Sequence, residues 1–133
     1  SNYITEERAA RIAGNFYSSR TGQDFNVNSI EIIEGPEFAD IYIYKLSPVG
    51  FVIVSGNNST MPILGYSFTE SFADNDRPIQ LDYLFDLYQQ EISDIVTSDT
   101  PPTPEFQELW DRYSQPFNCR DLFIRVNKCF YTR

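Results

Sequence analysis

Two cysteines, Cys119 and Cys129, in a chain without a single histidine set the limits of the chemistry. A cysteine nucleophile needs an imidazole within hydrogen-bonding reach to take its proton, and a third group to hold the ring. Neither thiol has that base here, so catalysis by a cysteine–histidine pair is excluded. The same absence, with no Cys-x-x-Cys spacing, argues against zinc, whose closed sites are built from thiolates and imidazoles. Two structural readings remain for the thiols. One is a disulfide closing the short loop between them, which would contribute about 2–3 kcal/mol by restricting the unfolded chain and would imply an oxidising compartment. The other is a pair of separate buried thiols.

Asp74, Asn75 and Asp76 have the spacing that opens a calcium loop, but such a loop also needs glycine at its sixth position and glutamate at its twelfth. Those positions hold Ile79 and Phe85, so the run reads as a solvated turn before a helix. The overlapping sequons at Asn57 and Asn58 mark a polar turn. Glu6, Glu7, Asp82, Asp86 and Glu91 read as helix-surface charges, with nothing pairing them as acid and base. No cofactor and no metal are expected. The formal net charge of −9 argues against nucleic acid as a partner, because phosphate binding needs clustered Lys and Arg. Residues 119 to 133 carry four basic side chains against Asp121, a balance of +3 that leaves −12 for the rest. An acidic surface of that kind favours partners with a basic rim.

The elements that must position these residues follow from periodicity. With 133 residues, 41% of them hydrophobic, the chain is long and apolar enough for one domain spanning 1–133, and no apolar run approaches the ~20 residues that cross a bilayer. Thr5 as N-cap and Ala9, Ile12, Ala13 and Phe16 at helical spacing predict a helix over about 6–20, stopped by Gly22. Residues 27–34, 40–47, 51–55 and 63–69 are β-branched and aromatic, separated by Gly35-Pro36, by Pro48-Val49-Gly50 and by the polar turn 57–60. They predict an antiparallel meander of four strands, with 51–55 central because it is apolar on both faces. Pro78 opens a helix over about 78–96 whose stripe of Leu81, Leu84, Phe85, Tyr88, Ile92, Ile95 and Val96 must cover the sheet. A stiff linker at 97–104 leads to a short helix capped by Thr103, ending near Tyr113, and 122–131 has the pattern of a last strand. The fold class is α+β. Tyr42, Tyr44, Tyr66, Phe72 and Tyr88 are assigned mainly to the core, and Trp110 is the leading aromatic outside the sheet, as an interface anchor or as a pin for the last helix.

The order GFVIVSG at 50–56, PILGYS at 62–67, Ser71-Phe72 and the helical run YQQEI at 88–92 resembles the pro-segment of the streptopain family of bacterial cysteine proteases, and the stand-alone inhibitors built like it. The likeness covers about residues 5–96. It implies a domain that packs on such a protease and pushes the loop between Ser71-Phe72 and the following helix into the cleft, disturbing the catalytic histidine. The matching stretch is Ala73, Asp74, Asn75, Asp76, Arg77, Pro78, Ile79 and Gln80. It is one residue shorter than in the pro-segments and contains Pro78; Gln80 aligns best with the intruding side chain, with Ile79 and Arg77 as neighbours. The family's enzyme domain is absent from this chain. The implied partner is a streptopain-like cysteine protease, and the implied location is outside the cytoplasm, whether periplasmic, cell-surface or secreted, with a lipid anchor upstream of Ser1 left open. Two other readings stand beside it: a pro-domain that assists folding of a partner enzyme, and an extracellular binding module that uses the sheet and exposed aromatics.

Overall fold

A computed structural model describes residues 2–73, 76–99 and 101–115. Cys119 and Cys129, the basic tail and the expected strand at 122–131 lie outside the described residues, as do Asp74 and Asn75.

Helix α1 spans Glu6–Thr21. The Thr5 side chain accepts from the Arg8 N–H, and Gly22, at φ 70°, closes the helix by donating its N–H to Ser18 O. Glycine adopts this left-handed cap at no steric cost. Four strands follow, β1 Val27–Ile33, β2 Ile41–Leu46, β3 Phe51–Ser55 and β4 Ile63–Ser67. They pair antiparallel in the order β1-β2-β3-β4, the meander expected from the turn residues. Helix α2 spans Ile79–Ser98 and α3 spans Pro104–Ser114.

The sheet is covered on both faces, and the period of two in β2 and β3 decides which residue goes where. Tyr42, Tyr44, Leu46, Val52 and Val54 face α1 and α3, joining Ile12, Ala13 and Phe16. Ile41, Ile43 and Ile53 face α2, joining Phe85, Tyr88 and Ile92. Every residue of β2 is buried, which is why that strand shows no polar alternation. Small residues on α1 let it lie close to the strands. The Tyr42 hydroxyl donates to Ile4 O (2.7 Å) and that of Tyr44 to Glu6 O (2.9 Å), so both phenols satisfy the backbone at the start of α1.

Trp110 is buried, and its indole N–H donates to Thr60 O at 2.7 Å; Tyr113 packs edge-on against Phe16, and Asn15 Nδ2 donates to Tyr113 O. The indole is thus the pin of α3 and not an exposed anchor, because the α3 face that carries it docks against α1 and the 57–60 turn. Val96, expected on the covering stripe of α2, is half exposed, since α2 has left the sheet by its last turns.

Candidate functional site

The stretch between β4 and α2 is held at both feet. At the first, Ser67 Oγ accepts from the N–H groups of Thr69 and Glu70, turning the chain away from the sheet edge. Ser71 Oγ then accepts from the Gly50 N–H at 2.9 Å. Gly50 has φ 112°, and a Cβ there would stand 2.7 Å from Ser67 O, so the β2–β3 turn that meets Ser71 requires glycine. Phe72 packs edge-on against Phe51 with ring centroids 5.0 Å apart, and Lys45 Nζ lies 4.8 Å from the centre of the Phe72 ring. Such a cation over an aromatic face is attracted by its quadrupole.

The second foot is Arg77. Its guanidinium reaches Glu31 Oε2 on β1 at 2.6 Å and Asp82 Oδ1 on α2 at 3.0 Å, and lies 5.6 Å from the ring centre of Phe85. Glu31 also pairs with Lys45 Nζ at 3.2 Å, with side chains only 21% and 10% exposed. The register sets Glu31 opposite Ile43, on the sheet face that α2 covers, and Lys45 is two residues further along the same strand face. One carboxylate therefore joins the cation that covers Phe72 to the cation that ends the loop. Between the feet, the Asp76 N–H donates to Ala73 O at 3.1 Å, and Pro78, at φ −55° and ψ 140°, caps α2 and accepts from the Leu81 N–H.

The residues expected to form the blocking loop therefore divide by role. Ala73, Asp76, Pro78, Ile79 and Gln80 are exposed, Ile79 at 78%, while Arg77 is turned back onto the body. Pro78 precedes the first helical residue, one position earlier than expected, and its fixed φ restricts the exit from the loop. Sequence reasoning missed Glu31 and Lys45 as partners of this segment. They are 46 and 32 positions from Arg77, and no local pattern links charges across that distance. Among the described residues no group of His, Cys, Asp and Glu could hold a metal ion, and no described helix is long and apolar enough to cross a membrane. The arrangement presents exposed residues, Ala73, Asp76, Pro78, Ile79 and Gln80, on a fastened base.

A protein-family profile described as Spi protease inhibitor matches residues 1–92. Streptopain of Streptococcus pyogenes, including the proteins of serotypes M1 and M3, is 35% identical over 57 residues, which is 43% of this chain and 14% of the relative. The match thus covers about a seventh of the length of those curated relatives. No solved structure matches.

Proposed function

From this chain's membership of the Spi protease inhibitor family, we propose that it inhibits a streptopain-like cysteine protease by setting residues 73–80 into the active-site cleft. The observation that carries the reading is the double fastening of that segment, through Ser71 and Phe72 at one end and Arg77 at the other. A segment whose two ends are fixed before binding loses less conformational entropy when it docks, and that saving appears as affinity.

The inhibition is steric. A cysteine protease is active only while its thiolate and imidazole stay within hydrogen-bonding distance, and a displacement of the ring by about 1 Å already costs on the order of a hundredfold in rate. With Arg77 committed to Glu31 and Asp82, the side chains free to enter the cleft are those of Gln80 and Ile79 and of the preceding turn, and Arg77 serves as the fastening. No bond forms or breaks. An interface of ordinary size, roughly 1,600 Å² in total, suffices for tight binding when the inserted segment is rigid. The reading also places the protein with its target, outside the cytoplasm.

The test is to titrate the chain into a mature streptopain-like cysteine protease and follow residual hydrolysis of a small substrate. Stoichiometric loss of activity, abolished when residues 73–80 are replaced by glycine and serine, is the expected result. Unchanged rates against several such enzymes overturn the reading; a raised yield of active enzyme on refolding, without inhibition of mature enzyme, replaces it by folding assistance.

A further inference from the structure

Helix α2 uses one side for the core: Phe85, Tyr88 and Ile92 are buried against the sheet, with Leu81 and Leu84 packed beside them. The opposite side of such a helix is normally polar. Here it carries Ile79, Tyr83 and Leu87 at i, i+4 and i+8, 78%, 65% and 53% exposed. Single exposed apolar residues are ordinary on a protein surface. Three in helical register form a continuous strip, and this strip begins at the last residues of the loop.

At Leu87 the strip runs into a groove of about 490 Å³ between α2 and the segment leading to α3, lined also by Ile95, Pro101 and Phe106. Ser59, on the same lining and 3% exposed, has a hydroxyl oxygen without a hydrogen-bond partner. A buried hydroxyl left without a partner is costly, so it gains from an incoming polar group. The charge pattern is one-sided. α2 carries Asp82, Asp86, Glu91 and Asp94 and neither Lys nor Arg. From Ile79 to Ile95 the helix runs about 24 Å at 1.5 Å per residue, which matches the breadth of the roughly 800 Å² that one partner contributes to a standard interface.

We propose that the outer face of α2 is the surface that supplies affinity for the protease: Tyr83 and Leu87, which continue the line of Ile79 away from the cleft, lie on an apolar area beside it, and an apolar side chain of the protease, flanked by Lys or Arg, seats in the groove. This rests on the inhibitory reading above and divides its labour. The loop blocks the cleft, and the helix holds the partner. Tyrosine, at the middle of the strip, is among the residue types enriched at binding hot spots, and the carboxylates beside it attract a basic rim and speed encounter.

The experiment measures inhibition of the mature protease, and binding to the same protease with its active-site cysteine capped by iodoacetamide, using the full chain. Tyr83→Ala is expected to weaken both by about 10–30-fold, with an unchanged melting temperature and complete inhibition still reached at saturation. A chain with residues 73–78 replaced by glycine and serine is expected to bind the capped protease yet inhibit the mature one poorly. Asp86→Lys should slow association, by a factor that shrinks as salt is raised. The inference is overturned if the unaltered chain inhibits while Tyr83→Ala and Leu87→Ala match it in both assays. Failure of the unaltered chain to inhibit or bind is a different outcome, and it overturns the parent reading and this one together.

Discussion

Replacing Glu31 by glutamine removes one charge from the centre of the loop's fastening and leaves the side-chain volume in place. Arg77 and Lys45 then face each other across a neutral amide. At an effective dielectric constant of about 20, a unit-charge pair 4 Å apart is worth about 4 kcal/mol before desolvation is counted. The side chains of Glu31 and Arg77 are 21% and 25% exposed, so water screens part of that. Charge-assisted hydrogen bonds in proteins contribute a net ~1.5–3 kcal/mol, and Asp82 stays near Arg77 but is 53% exposed and compensates little. A loss of about 2 kcal/mol follows, which for a domain of this size lowers the melting temperature by roughly 6–10 °C. Inhibition should suffer separately. If the second foot opens in the free protein, the loop must be re-ordered on binding, and at 1.4 kcal/mol per tenfold the inhibition constant rises by about 10–30-fold. A double-mutant cycle of Glu31→Gln with Arg77→Met, followed by thermal melting and by titration against the protease, isolates the coupling, expected at about 1–2 kcal/mol. Additive effects in both assays, or a Glu31→Gln chain that melts within about 1 °C of the original and inhibits within about twofold, would refute the claim that this carboxylate holds the loop.

Alkaline titration tests the core. Burial raises the phenol pKa values of Tyr42 and Tyr44 well above the ordinary value and pushes that of Tyr88 up to about 12. Because the folded values exceed the unfolded ones, the stability these phenols confer is complete below about pH 10 and is lost as pH rises through the folded values. Phenolate absorbance should therefore show a fraction of the nine tyrosines titrating only together with loss of near-ultraviolet circular dichroism; nine independent titrations near pH 10 would contradict the structure. Gly50→Ala sets a methyl group 2.7 Å from Ser67 O at φ 112° and strains the turn that donates to Ser71. A cost of about 1–3 kcal/mol is expected in denaturant unfolding, with weaker inhibition; an unchanged unfolding midpoint would show that the turn tolerates a side chain.

Much of this organisation was legible without the fold. The spacing of Ala9, Ile12, Ala13 and Phe16 marked α1, the doubly apolar Phe51–Ser55 marked a central strand, and the segment between Phe72 and α2 stood out as polar chain between regular elements. These are local signals, carried by residues within one or two turns of each other. Trp110 was ambiguous in the sequence because a lone aromatic on a short helix serves equally as pin or anchor. Only the presence of Thr60 O within hydrogen-bond distance of its indole decides the matter.

The sequence by itself determined the element order, the antiparallel meander, the absence of a cysteine–histidine pair and the location of the loop, since each depends on residue type and short-range spacing. Tertiary structure alone decided that Arg77 is a fastening, that Glu31 and Lys45 serve the loop from β1 and β2, and that Ile79, Tyr83 and Leu87 stand exposed in a line on the side of α2 away from the sheet. The stripe of Leu81, Leu84, Phe85, Tyr88 and Ile92 marked the covered side of α2 from its spacing, and the sheet buries that side. Charges far apart in the chain acquire their meaning only when strand register and helix placement bring them within a few ångströms of each other.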